Sequence, residues 1–386
     1  MLLVVSQAIL MTGSSLLVST SALVGRDLSE RALLATIPLG LQYLAMTLTA
    51  TPASLLMQRI GRGRGFMLAA LIGMSGAATA TWSVLNGHYL GFCGASALLG
   101  SFNGFGQFYR FAAAEAVESD LQSRAISWVL AGGIAAGFLG PNIASWTRDL
   151  LPVAFAGSYA VLGTLYVISL TTAALLTIPR PGEAVRRSSG RPLAEILAQP
   201  RFVLAVAAAA VGYGTMNLVM VATPLAMQAG GYGFSDTAFV IQWHVLAMFV
   251  PSFFTGNLIR RLGVLPVLAA GALLELSAAA INLSGGSAWH YWTALVCLGG
   301  GWNFLFVGGT TLLTQVHEPE ERAKCQAFND VVVFGTVTLT ALGSGMLYDG
   351  VGWHWMNLGA TVPVAAVLLG VATVRLRERA SAMATS

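Results

Sequence analysis

The sequence predicts an all-α membrane protein of twelve transmembrane helices arranged as two six-helix bundles. Three observations carry that expectation. The 386 residues are 56% hydrophobic and only 9% charged, with a mean hydropathy of +0.73. Soluble domains carry about 25% charged residues, so a chain this depleted cannot cover a water-facing surface. Apolar runs then recur at lengths that cross a hydrocarbon core about 30 Å thick. Finally, one long polar stretch near the midpoint leaves six runs on each side.

In the first half the runs fall at 2–24, 33–58, 66–85, 89–114, 124–147 and 152–178. In the second they fall at 202–228, 235–259, 263–284, 288–315, 324–348 and 354–374. They are unbroken rather than alternating, which excludes a closed β-barrel. The first run starts without the charged n-region of a cleavable signal peptide. The 44 glycines suit helices that pack closely in lipid through small residues. The polar stretch IPRPGEAVRRSSGRPLAEILAQPR, residues 178–201, sets the expected domains: a bundle over 1–179, a linker over 180–201, a bundle over 202–376 and a tail over 377–386. The halves also echo one another. SLLMQRIGR (54–62) matches GNLIRRLGV (256–264), and QSRA (122–125) resembles EERA (320–323). A repeated six-helix unit is what many secondary transporters are built from.

Positive charge sets the orientation. With a cytoplasmic N-terminus, the cytoplasmic loops and tail hold Arg59, Arg62, Arg64, Arg124, Arg180, Arg186, Arg187, Arg191, Arg201, Arg260, Arg261, Arg322, Lys324, Arg375, Arg377 and Arg379. The other side holds Arg26, Arg31 and Arg148. The asymmetry predicts that both termini are cytoplasmic. Because these arginines sit in short loops rather than on one face, the net charge of +4 is not a nucleic-acid signal. The three cysteines, Cys93, Cys297 and Cys325, have no CxxC spacing, which argues against a disulfide scaffold or zinc module. No phosphate-binding loop, HExxH or Ser-His-Asp grouping supports an enzyme.

An ionisable side chain inside a span is costly, and so is a candidate functional group. Arg110, Glu275, Asp330 and His244 qualify. Arg110, five residues before Glu115, is near enough to the membrane face to snorkel. Glu275 and Asp330 could relay protons, but pairing with loop arginines is the favoured expectation. Gly140-Pro141 in the fifth span is a packing kink or a bending point.

The seventh and eighth spans contain GTMNLVMV and QWHVLAM. Met216 and Met220, and likewise His244 and Met248, are four residues apart, which puts each pair on one helix face. Thioethers are soft ligands that suit Cu(I), and imidazole also binds copper. Methionine is equally a filler of gaps in apolar cores. His244 separates the two readings best, because histidine in a span needs a partner.

The 6+6 pattern, the basic central loop and the Arg-x-Gly-Arg turn after the second span resemble the major facilitator superfamily over essentially the whole chain. The usual motif of that turn has Gly first and Asp fifth; here Ser54 and Gln58 stand there, and the second copy keeps Gly256 but has Arg260 in the acidic place. The quartet Met216, Met220, His244 and Met248 further resembles the MxxxM and HxxxM marks of the CcoA-like family of bacterial copper importers. SSLLVSTSALVGRDL (14–28) and the 35–62 segment look like the same family and its relatives. The resemblance implies secondary-active copper uptake across the bacterial inner membrane in support of cytochrome oxidase biogenesis. Copper is then the transported substrate held transiently by the quartet, with no resident cofactor. The implied partners are the bilayer and copper chaperones on either side, with the chain monomeric. A neighbouring branch implies riboflavin import instead, for which Trp243, Trp302, Asn303 and Tyr109 offer stacking and hydrogen bonds. A membrane-embedded sensor that does not transport fits the repeats less well.

Overall fold

The structure is a computed structural model that describes residues 2–29, 32–109, 112–113, 122–176, 191–318 and 321–384. Among the described residues there are helices and no strands. Helix α1 spans Leu2–Ser29, α2 Ile37–Ile60, α3 Arg62–Leu85, α4 Tyr89–Gly106, α5 Gln122–Thr147 and α6 Ala156–Ala174. After a one-turn helix at Leu193–Leu197 come α7 Pro200–Ala229, α8 Phe234–Phe249, α9 Ser252–Leu262, α10 Val264–Ser284, α11 Ala288–Thr314 and α12 Arg322–Ala384. Among the described residues seven helices are individually long and apolar enough to cross a membrane, or eight if the bent pair α8 and α9 counts as one span. Arg31, Arg110, Glu115, Arg180, Arg186 and Arg187 lie outside the described residues, as do the side chains of Gln58, Arg124, Arg322 and Arg379.

Two breaks divide what would otherwise be continuous helices. Helices α8 and α9 meet at a 42° bend beside Pro251, which lacks the N–H that would continue the ladder. Asn303 on α11 braces the bend. Its Nδ2 donates to the Met248 carbonyl at 2.7 Å and to Ser252 Oγ at 2.6 Å, while its Oδ1 accepts from Thr255 Oγ1 at 2.7 Å. Helix α12 breaks at Gly352, where φ is 79°, so its two limbs match the eleventh and twelfth predicted spans.

The repeat seen in the sequence is a repeat of backbone. Gly61 joins α2 to α3 at φ 90°, ψ 155°, and Gly263 joins α9 to α10 at φ 87°, ψ 164°. Each donates its N–H at 2.9 Å four residues back, to Met57 and Ile259 respectively. This region of backbone space is essentially open only to glycine. The arginine in the acidic place of the second copy, Arg260, turns to the Asn257 side chain.

By compactness the chain forms two units. The first holds residues 1–185, 221–245 and 341–350, and the second holds 186–220, 246–340 and 351–386. In the first, α1 packs on α5 and α6, α2 on α4, and α3 on α4 and α6. Small residues set the approach: a Cβ on Gly100 would run into the Gln42 carbonyl, and one on Gly140 would lie 2.6 Å from Ser15 Cβ. Gly140 thus lets α5 close on α1. Phe66 meets Tyr109, and Phe102 meets Tyr166, at 4.5 Å between ring centres; such pairs contribute about 0.5–1.5 kcal/mol beyond their buried area. Polar bonds fasten the same unit, Ser6 to Thr172 and Thr20 to Tyr159, each at 3.0 Å.

Segments from the later helices complete that first unit. Gln228 on α7 accepts from Arg26 Nη1 at 3.3 Å, and Gln242 on α8 accepts from Asn142 Nδ2 on α5 at 2.6 Å. On α12, the Gly345 N–H donates to Thr36 Oγ1 at 2.9 Å. In the second unit α10 packs on α11, and α9 touches both. Gly271 and Gly301 permit that crossing, since a Cβ on either would lie about 3 Å from the carbonyl oxygen of the other.

Candidate substrate site

Within the second unit five aromatic side chains from four helices make one cluster. Trp302 and Phe306 stand one turn apart on α11, which puts both on one face. Their rings stack at 5.2 Å with 8° between planes. Tyr213 on α7 stands edge-on to both, at 5.3 Å and 5.5 Å. Phe249 at the end of α8 meets Trp302 at 5.9 Å, and Phe334 on α12 meets Tyr213 at 6.3 Å. Trp302 is buried, whereas Tyr213, Phe249, Phe306 and Phe334 are each partly accessible. Among the described residues Trp302 Nε1 has no hydrogen-bond acceptor. A donor is therefore held inside an aromatic surface with nothing to donate to, which is costly unless a ligand or water supplies the acceptor.

Neighbouring polar groups are committed to structure. Asn217 on α7 donates to the Val337 carbonyl at 3.0 Å and to Thr340 Oγ1 at 3.2 Å, tying α7 to α12. Asn303, expected to serve an organic solute, uses both ends of its amide on the α8–α9 bend. Of the other residues considered for that role, Tyr109 belongs to the core of the first unit beside Phe66. Trp243 is 39% exposed and contacts Phe239 at 6.2 Å. Trp302 alone of the four joins the cluster. Tyr213, Phe249, Phe306 and Phe334 are missing from the sequence-derived set. The i, i+4 pairing of Trp302 with Phe306 is the one signal that pointed to any of them.

The four candidate copper ligands are buried in helices: Met216 and Met220 on α7, His244 and Met248 on α8. The three methionines belong to the second unit and His244 to the first. Among the described residues no group of three or more His, Cys, Asp or Glu is placed to hold a metal ion. Any copper here depends on the thioethers. The Met248 carbonyl accepts from Asn303, so this residue also has a place in the helix bend. Cys93, Cys297 and Cys325 are free thiols.

The expected pairing of Glu275 with loop arginines is not what the structure has. Glu275 sits midway along α10 and is 2% exposed, and among the described residues neither carboxylate oxygen has a hydrogen-bond partner. It is too deep for a loop cation to reach. Asp330, near the start of α12, is exposed and accepts from Asn329 Nδ2 at 3.2 Å.

Among the described residues, long apolar helices, a glycine turn repeated in both halves and broken spans are the features of a multi-pass membrane protein of the transporter kind. The Major Facilitator Superfamily matches residues 3–329, and the chain belongs to that superfamily. It is 39% identical over 384 residues to the riboflavin transporter RfnT of Brucella anthropi, covering 99% of this chain and 96% of that one. It is 35% identical over 120 residues to YddS of Bacillus subtilis, an uncharacterized MFS-type transporter, covering 28% of its length. The crystal structure of the nucleoside transporter NupG (D323A mutant) superposes with a TM-score of 0.73 at 12% identity, over 97% of this chain and 99% of that one. That likeness concerns the fold alone. The full-length relative is named for riboflavin, where the Met/His quartet pointed to the copper-importing branch.

Proposed function

We propose that this chain is a riboflavin importer of the bacterial inner membrane. The observation that carries the proposal is the aromatic cluster around Trp302. An isoalloxazine is a flat, largely apolar ring system with carbonyl oxygens along one edge. The partly accessible faces of Tyr213, Phe306 and Phe334 suit its plane, and Trp302 Nε1–H suits its acceptors. Full-length kinship with a riboflavin transporter supports the same choice. The arginine asymmetry supports an orientation with both termini cytoplasmic. Trp82, Trp146, Trp289 and Trp355, each more than half exposed, stand at helix ends that this topology assigns to the outer face, as an interfacial aromatic belt requires.

The test is uptake of labelled riboflavin by cells that cannot synthesise it. The expected result is accumulation well above an empty vector, and growth on low external riboflavin. No accumulation at verified expression would sink the proposal. Copper import is the second reading, carried by the burial of Met216, Met220, His244 and Met248. Isotopic copper uptake in the same cells decides it: copper entry without riboflavin entry replaces the first reading.

A further inference from the structure

Glu275 lines a small cavity inside the second unit, together with Thr215 and Val219 of α7, Asn282 of α10, and Asn357 of the second limb of α12. The cavity is about 10 Å³, at the lower limit of what one water needs. The glycine crossing of α10 and α11 makes room for it: Gly301 has no side chain, and Glu275 Cγ lies 2.7 Å from where a Cβ on Gly301 would stand. Glu275 and Asn282 are seven residues apart on one helix, hence on one face, and both reach the cavity.

Asn282 Nδ2 donates to Asn357 Oδ1 at 2.9 Å, and Asn357 Nδ2 donates to the Trp353 carbonyl at 2.9 Å. Each amide nitrogen thus makes one of its two possible donations, and neither bond goes to a Glu275 oxygen. Three acceptors on this cavity have no donor: Glu275 Oε1, Glu275 Oε2 and Asn282 Oδ1. Among the described residues no cationic side chain lines the cavity. Tyr213 on α7, Tyr291 and Cys297 on α11, and His354 on α12 are titratable groups of the elements packed nearby, and none lines the cavity. A buried carboxylate without a counter-charge is prohibitively costly. One proton on Glu275 turns one carboxyl oxygen into a donor and leaves two orphan acceptors, the other Glu275 oxygen and Asn282 Oδ1. One water, accepting from the carboxyl O–H, brings two donors for those two acceptors.

We propose that Glu275 and this cavity are the site of a transported proton, bound as a neutral carboxylic acid beside one water and released when the cavity opens to solvent. The proposal rests on the chain's being a transporter and on no particular substrate. Balance is simple: the O–H bond of the carboxyl breaks, the proton passes to water, and the carboxylate left behind is tolerated only once hydrated. Import would thereby be coupled to the proton gradient.

The first experiment needs no substrate. Infrared spectra of the purified protein should contain a deuterium-sensitive neutral-carboxyl carbonyl band near neutral pH that is lost in Glu275→Gln. The second uses riboflavin. Wild type should lose accumulation when a protonophore collapses the gradient. Glu275→Gln, which mimics the protonated acid, should keep exchange of external for internal riboflavin yet accumulate at least tenfold less. A missing band, accumulation by Glu275→Gln equal to wild type, or accumulation that follows a sodium gradient and ignores protons overturns the proposal. If wild type takes up no riboflavin while the band is present, the substrate reading fails and the proton site stands.

Discussion

Arg191 grips Glu321 with two parallel hydrogen bonds, Nε to Oε1 and Nη2 to Oε2, each 2.8 Å long. The Arg191 backbone N–H adds a third at 2.9 Å, and Lys324 Nζ reaches the Arg191 carbonyl. This fork fastens the end of the linker to the start of α12 across 130 residues of sequence. The guanidinium holds the Glu321 carboxyl down at about 2, with backbone N–H donors helping. Because the folded value is depressed, the stabilisation is present above the ordinary carboxylate range and fades as pH falls from there toward 2. Glu321→Gln should therefore melt lower than wild type in detergent at pH 7, and the gap should narrow as pH is lowered below 4.5. Equal melting temperatures at pH 7 would refute the clamp.

The paired turns at Gly61 and Gly263 make a second, independent prediction. Nothing lies within 4 Å of a Cβ built on Gly61, and on Gly263 only Pro266 Cδ, at 3.8 Å. Alanine would fit both spaces and still be strained, by about 1–3 kcal/mol, because the backbone conformation itself is disfavoured. Gly61→Ala and Gly263→Ala should each lower the melting temperature, and their effects should add, since the turns belong to different units. A neutral Gly263→Ala would mean that the turn relaxes to negative φ.

These turns mark how much the sequence disclosed. Hydropathy and the echo of QRIGR in RRLGV predicted the spans and the repeat, because lipid makes every helix declare itself by length and the glycine turn admits no other residue. The breaks were less visible. Pro251 marked a bend, yet nothing local told that Asn303, some fifty residues later, would brace it. The aromatic cluster was hidden for the same reason: Tyr213, Trp302 and Phe334 come from separate helices, and helix rotation is not encoded in hydropathy. Glu275 was noticed for its charge but expected to meet arginine, since only packing reveals that no cation reaches mid-helix. The quartet shows the opposite hazard, that regular spacing stands out in sequence whether or not the side chains serve one ion.

The bond from Asn142 on α5 to Gln242 on α8, 2.6 Å long, invites a test of motion. If transport requires these helices to part, as alternating access by two bundles demands, tethering them should stop it. A variant carrying Asn142→Cys and Gln242→Cys should lose riboflavin uptake when treated with a short bifunctional thiol reagent, and each single variant should not. Undiminished uptake in the cross-linked double variant would show that α5 and α8 stay together throughout the cycle.

The sharpest separation of the two substrate readings comes from Trp302 set against His244. Trp302 is buried and stacked on Phe306, so Trp302→Ala removes both the support of the aromatic surface and the Nε1–H donor. Stacking of a flat heterocycle on an aromatic side chain is worth about 1–3 kcal/mol by alanine substitution, and riboflavin uptake should weaken roughly tenfold or more, mainly through KM. Trp302→Phe keeps the apolar face but removes Nε1–H, the donor that has no acceptor among the described residues, and should recover only part of the loss. Met216→Leu and Met220→Leu conserve volume at buried positions, where such exchanges usually cost less than about 1.5 kcal/mol in stability. Under the riboflavin reading these two and His244→Ala leave riboflavin KM within about twofold of wild type at equal expression, because no flavin contact is removed. Under the copper reading the same three abolish copper uptake, while Trp302→Phe spares it. Measuring both substrates across this one set of variants assigns the cargo from the pattern of loss, even if either uptake signal is small by itself.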